Sequence, residues 1–114
     1  MRFQLLTKGR YNTMIVEYIR YLISEGQGSE LERAYSHASE ALLQSPHCLG
    51  YELARCAEEP TSYILRIEWD SIEGHLQGFR KSPEFQSFFR AISPFVSNIQ
   101  EMRHYEVTAI AGKK

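Results

Sequence analysis

The sequence predicts an α+β fold, a four-stranded antiparallel sheet with helices packed on one side, in the order β-α-β-β-α-β. Three observations lead there. Stretches rich in β-branched and aromatic residues, 14–23, 62–69 and 99–109, read as strands. Ser29-Glu-Leu-Glu32 and Asp70-Ser-Ile-Glu73 have capping-box spacing, and apolar residues at helical spacing follow each. A hairpin-length loop, Ala57-Glu-Glu-Pro-Thr61, separates the two middle strands. That order is the ferredoxin-like arrangement.

Residues 1–13 show no sustained period and read as an N-terminal arm before a domain spanning 14–109. Met14–Ile23 is the first strand. One face carries Met14, Val16, Tyr18, Arg20 and Leu22; the other carries Ile15, Glu17, Ile19, Tyr21 and Ile23. Both are mainly apolar, so both are expected to be covered. A second copy of the chain is the economical cover for the outer face, as a homodimer. Glu17, Glu52, Arg66 and Glu68 are the charges expected on that face.

Ser24-Glu-Gly-Gln-Gly28 is a turn. Ser29 is expected to cap a helix whose buried stripe is Leu31, Ala34, Tyr35, Ala38 and Leu42, stopped by Ser45-Pro46. Cys48–Cys56 reads as a strand with Leu49, Tyr51, Leu53 and Arg55 on one face. Ser62–Trp69 follows, with Tyr63, Leu65, Ile67 and Trp69 on one face. The next helix carries Ile72, Leu76 and Phe79 as a stripe. Ser82-Pro83 restarts it, with Ser82 as N-cap and Pro83 at the first helical position. Phe85, Phe88, Phe89 and Ile92 continue it to Ser93-Pro94. The last strand places Met102, His104 and Glu106 on one face, and 110–114 is a C-terminal tail.

A length of 114 residues fits one domain with a core that needs no disulfide or metal. Hydrophobic content of 43% and charged content of 24% are ordinary for a globular chain. A net charge of −1 argues against a nucleic-acid or anionic-membrane footprint. No apolar run reaches the roughly 18 residues of a membrane span, and no secretory leader is legible, so a cytoplasmic location is expected. Cys48 and Cys56 on one strand would lie about 26 Å apart, against the about 7 Å a disulfide allows, so reduced thiols are expected. Four scattered histidines do not suggest a metal site, and no common cofactor fingerprint is present.

Four segments carry a resemblance: Met14-Ile-Val-Glu-Tyr18, Ser45-Pro-His-Cys-Leu-Gly-Tyr-Glu-Leu53, Tyr63-Ile-Leu-Arg-Ile-Glu-Trp-Asp70 and Phe79-Arg-Lys-Ser-Pro-Glu-Phe85. In this order and spacing they resemble the antibiotic biosynthesis monooxygenase domain family of the dimeric α+β barrel superfamily, over about four fifths of the chain. The resemblance implies a homodimer with a pocket in each subunit between sheet and helices. It also implies oxygenation of a quinol, phenol or polycyclic aromatic with O2 and no cofactor. A phenolate is electron-rich enough to pass an electron to O2 if the protein deprotonates it and excludes water.

On that footing Trp69 lines the pocket and stacks on a planar substrate, or anchors the strand–helix corner. His75, one turn before Phe79 on the same helical face, and His104 on the last strand are the candidate proton acceptors. Tyr18 and Arg20 are expected to share the face of Trp69 and orient the substrate. Tyr51 and Arg55 are further candidates; His37 and His47 read as surface residues. Phe79 stands where many quinol-oxidising members carry histidine. Haem-degrading relatives use an asparagine, a tryptophan and an axial histidine where Tyr18, Phe79 and Phe89 stand here. The alternatives are a non-catalytic small-molecule-binding or partner domain on the same fold, and a haem-binding or isomerase relative.

Overall fold

A computed structural model describes residues 14–114; the arm expected over 1–13 lies outside the described residues. Strand β1 (Ile15–Leu22) leads to helix α1 (Gly28–Gln44), then to the β2 (Cys48–Arg55) and β3 (Ser62–Trp69) hairpin. A π-helical turn (Gly74–Gly78) and a 3-10 turn (Phe79–Lys81) join β3 to α2 (Pro83–Ile92). A second 3-10 turn (Ser93–Asn98) leads to β4 (Ile99–Glu106). The sheet is antiparallel throughout, in the order β2-β3-β1-β4. This is the ferredoxin-like fold.

Strand β1 is central, paired with β3 on one side and β4 on the other. Alternation along it sends Ile15, Glu17, Ile19 and Tyr21 toward the helices. Opposite them stand Trp69, Ile67, Leu65 and Tyr63 of β3, and Glu106, His104 and Met102 of β4. Leu31, Tyr35, Ala38 and Leu42 of α1 and Phe88 and Ile92 of α2 close the core from the other side. At the turn into α1, Gly26 has φ of 86°, a left-handed conformation that glycine adopts without steric cost.

Glu17 is not on the outer face, where its charge was expected. It shares the parity of Ile15 and Ile19 and is 2% exposed. Leu49 also departs from expectation: an irregularity between Cys48 and Gly50 sets it outside the alternation, and it is exposed. The Ser29–Glu32 capping box does not form. Helix α1 starts two residues earlier, at Gly28 with Gln27 in the cap position and no side-chain cap, and Glu32 instead accepts the Tyr63 hydroxyl at 2.6 Å. After β3, the Ser71 hydroxyl, not Asp70, receives an N–H, that of Gly74 at 2.8 Å.

The expected Ile72–Leu76–Phe79 stripe is also rotated. Ile72 and Leu76 are exposed, while His75 and Phe79 point inward. The physical reason is the π turn, whose wider pitch re-aims side chains relative to an α-helix. Ser82 caps α2 as predicted, accepting the Phe85 N–H at 3.3 Å, with Pro83 in the first turn.

Candidate active site

Four side chains from four elements meet beneath the sheet. Glu17 lies on β1, His104 opposite it on β4, Trp69 at the end of β3, and His75 in the π turn. Trp69 pairs directly with Ile15, so Glu17 is its diagonal neighbour and within reach of a long side chain. The indole Nε1–H donates to Glu17 Oε1 at 3.0 Å. The imidazole of His75 stacks on the indole, ring centres 4.4 Å apart and planes 15° apart. His75 Nδ1 and His104 Nε2 share a hydrogen bond of 2.7 Å. The other ring nitrogen of His75, Nε2, faces Glu17 Oε1 at 3.4 Å, and His104 Nε2 lies 3.8 Å from Oε2.

A carboxylate can only accept. With Glu17 ionised, His75 therefore presents Nε2–H to it, accepts at Nδ1, and takes that hydrogen from His104 Nε2–H. Burial pushes the Glu17 carboxyl up to about 7, against the Trp69 hydrogen bond and the positive charge of Arg80, which both favour its ionised form. Burial likewise pushes His75 down to about 3, helped by the neighbouring His104 and by Arg80. His104 is lowered too, by burial and then by Arg80.

Each of the three offers a donor atom within 4.8 Å of the others, the combination from which a metal site could be built. The atoms are strung along a chain, however. His75 turns one ring nitrogen to each neighbour, whereas a bound divalent ion needs every donor about 2.1 Å from one centre.

Glu17, Trp69 and His75 form the polar end of a cavity of about 120 Å³. Its walls are apolar: Ile19 and Ile67 from the sheet, Phe79, Phe85, Phe88 and Ile92 from the helices. Phe89, Val96 and Met102 also line it and are 46%, 37% and 45% exposed, so they form its mouth. Arg80 reaches the lining, with its guanidinium 5.3 Å from the centre of the Phe85 ring.

Of the residues singled out in the sequence, Trp69, His75, His104 and Phe79 converge here. Tyr18 and Arg20 do not: alternation puts them on the opposite sheet face from Trp69, which corrects the expectation that they share its face. Tyr18 packs edge-on against Tyr105 there, and Arg20 pairs with Glu101. Tyr51 and Arg55 line a separate groove beside α1. His37 is exposed; His47 is half-buried and bonded to Asp70 at 3.0 Å. Both cysteines are free. Glu17 and Arg80 are the two site residues that sequence reasoning missed. The signal for Glu17 was its parity, the same as that of Ile15, Ile19, Tyr21 and Ile23.

An α+β sheet-and-helix domain with an internal apolar cavity and an acid–base cluster at its polar end defines a class of small pocket-bearing domains. The profile of the antibiotic biosynthesis monooxygenase family matches residues 14–91, and the chain belongs to that family. It is 29% identical over 93 residues to the uncharacterized protein YczJ of Bacillus subtilis (strain 168), covering 82% of this chain and 98% of that one. A solved structure from Bordetella bronchiseptica superposes with a TM-score of 0.70 at 23% identity, over 87% of this chain and 99% of that one. SnoaB, a cofactor-independent oxygenase from Streptomyces nogalater, superposes with a TM-score of 0.67 at 16% identity, over 88% and 96%. At these identities the two structures bear on the fold. Among the described residues no helix is long and apolar enough to cross a membrane.

Proposed function

We propose that this protein is a cofactor-independent oxygenase that uses O2 to oxidise a single-ring phenol or hydroquinone. The observation that carries this reading is the cavity itself, apolar along its length and closed at one end by Glu17, Trp69 and His75. Its volume of about 120 Å³ is close to that of engineered apolar cavities that take up benzene, which favours one ring over a polycycle or a porphyrin. Trp69 and Phe79 serve as aromatic walls for the ring, and the polar end receives its hydroxyl. The Glu17–His75–His104 cluster supplies the acid–base function.

Loss of the phenolic proton leaves a phenolate. One electron then passes to O2, giving a phenoxyl radical and superoxide held in the same dry cavity, where they recombine before either escapes. Arg80, at the lining, stabilises the negative charge that develops.

The working unit is a homodimer formed through the outer sheet face. Tyr18 and Leu22 of β1, Ile64 of β3 and Tyr105 of β4 give that face an apolar centre, and Leu22 and Tyr105 are exposed in the single chain.

O2 consumption with metal-free protein and a panel of single-ring hydroquinones tests the reading. Turnover that is lost in Trp69→Ala is expected. Saturable binding of the same compounds without O2 uptake would instead support a small-molecule-binding domain.

A further inference from the structure

We propose that Glu17, His75 and His104 form a proton relay between the closed end of the cavity and solvent, with Glu17 as the group that takes the proton from the bound ring. The source of that proton, a phenolic hydroxyl, rests on the oxygenase reading above; the relay rests on geometry.

Three observations support it. Glu17 and His75 line the cavity and are each 2% exposed, so while a ring fills the space between them and the mouth a proton delivered there has no direct route to water. His75 turns Nε2 to Glu17 and Nδ1 to His104, so it links the two in series. The His104 side chain is 26% exposed, and its Nδ1 is not needed by either neighbour, so the chain ends where water can reach it.

The chain has two complete hydrogen-bonding patterns. With Glu17 ionised, the hydrogens run His104 Nε2–H to His75 Nδ1, and His75 Nε2–H to Glu17. With Glu17 protonated, they run the other way: Glu17 O–H to His75 Nε2, His75 Nδ1–H to His104 Nε2, and His104 Nδ1–H to water. Oε1 is the oxygen that faces His75 Nε2, so in the second pattern it carries the carboxyl hydrogen and still accepts the Trp69 Nε1–H on its remaining lone pair. The contact of 3.4 Å between His75 and Glu17 must shorten for transfer, as such contacts do when substrate closes a site.

The steps balance without a redox partner. The phenolic O–H bond breaks and its proton joins Glu17, and His75 and His104 then take up the Nδ1–H tautomers of the second pattern. Glu17 then gives a proton to His75 Nε2 as His75 Nδ1–H passes to His104 Nε2 and His104 Nδ1–H leaves to solvent. These transfers leave Glu17 ionised and both imidazoles as Nε2–H, which is the first pattern. His75 holds no net charge at rest; it passes a proton on and does not store one. The groups that face Glu17 are Trp69 on β3, His75 in the π turn, His104 on β4 and Arg80 beyond it. The Tyr21–Tyr35 hydroxyl pair feels its charge from deeper in the core.

Nitrogen-15 NMR of histidine-labelled protein without substrate tests the relay independently of turnover. In wild type, His75 is expected as the Nε2–H tautomer at pH 8 and as the Nδ1–H tautomer at pH 5.5. In Glu17→Gln the switch should be absent with the fold intact. A single His75 tautomer across that range overturns the proposal. So does a stoichiometric divalent cation that removes the imidazole N–H signals.

With a turned-over substrate, Glu17→Gln should lower kcat by about 10²-fold or more with KM little changed. His104→Ala should lose rate that added imidazole restores; absence of rescue counts against the exit step. A tautomer switch with no O2 uptake from any phenol would sink the oxygenase reading and leave the relay standing.

Discussion

The indole N–H of Trp69 donates to the Glu17 carboxylate at 3.0 Å, across the β1–β3 pair at the polar end of the cavity. Both residues are almost fully buried, at 0% and 2% exposure. This bond merges two roles for the tryptophan. It is a core anchor that ties the strand end to its neighbour, and its faces meet His75 and Phe79 at the cavity.

Trp69→Phe keeps an aromatic wall and removes the donor. A hydrogen bond to a charged group contributes about 1.5–3 kcal/mol, so ionised Glu17 loses that support. The lower limb of the pH–rate profile is expected to move up by about one to two pH units. A profile identical to wild type would show that the bond does not tune the carboxyl.

Glu17 and His75 pull stability in opposite directions with pH. The folded-state value of Glu17 is raised, so its contribution is full below pH 4.5 and is lost as pH rises through about 7. The folded-state value of His75 is depressed, so its contribution is present above pH 6.5 and is lost as pH falls toward about 3. Glu17→Gln removes the first dependence. Urea unfolding at pH 5, 6, 7 and 8 should show the variant gaining on wild type as pH rises, by up to about 3 kcal/mol above pH 7. A difference that stays flat across this range would refute the assignment.

The π turn that aims His75 inward packs on His47. A Cβ at Gly78 would lie 2.4 Å from His47 Cδ2 and Nε2, and one at Gly74 would lie 2.0 Å from Asp70 Oδ1. The His47 ring cannot swing away freely, since its Nδ1 bonds Asp70 and its carbonyl accepts the Asp70 N–H at 2.9 Å. Gly78→Ala is expected to cost about 1–3 kcal/mol in thermal or urea unfolding. Adding His47→Ala should return most of that loss, and a double variant no better than the single one would contradict the packing account.

The outer sheet face carries the dimer proposal. Tyr105→Glu places a charge beside Tyr18, 5.5 Å from it ring to ring, in the apolar centre of that face. Light scattering should report a dimer for wild type at micromolar concentration and a monomer for the variant, with the cavity residues unaffected. A wild-type monomer would remove the proposal.

Much of the fold was legible because strand and helix periods differ. The order of elements, the Ser82-Pro83 restart and the inward face of β3 followed from alternation, capping chemistry and proline geometry. Placing Trp69, His75 and Phe79 near one another needed only the strand end and a four-residue helical step. What failed were local signals that tertiary contacts overrode. Ser29-Glu-Leu-Glu32 has capping-box spacing, but Glu32 found a better partner in Tyr63 across the groove. Tyr18 and Arg20 were set on the wrong face relative to Trp69, because the pairing register of β1 against β3 decides which parities match.

The sequence by itself determined the ferredoxin-like order, since each element follows from periodicity within a single segment, and the resemblance of four segments to the family implied the pocket between sheet and helices. Only the tertiary structure decided that the lone carboxylate on the apolar face of β1 meets Trp69, His75 and His104. Those residues lie 52, 58 and 87 positions further along the chain, so no period within one segment relates them. Strand register and a π turn bring them together, and burial then raises the Glu17 carboxyl toward neutrality, because an apolar surround penalises its charge.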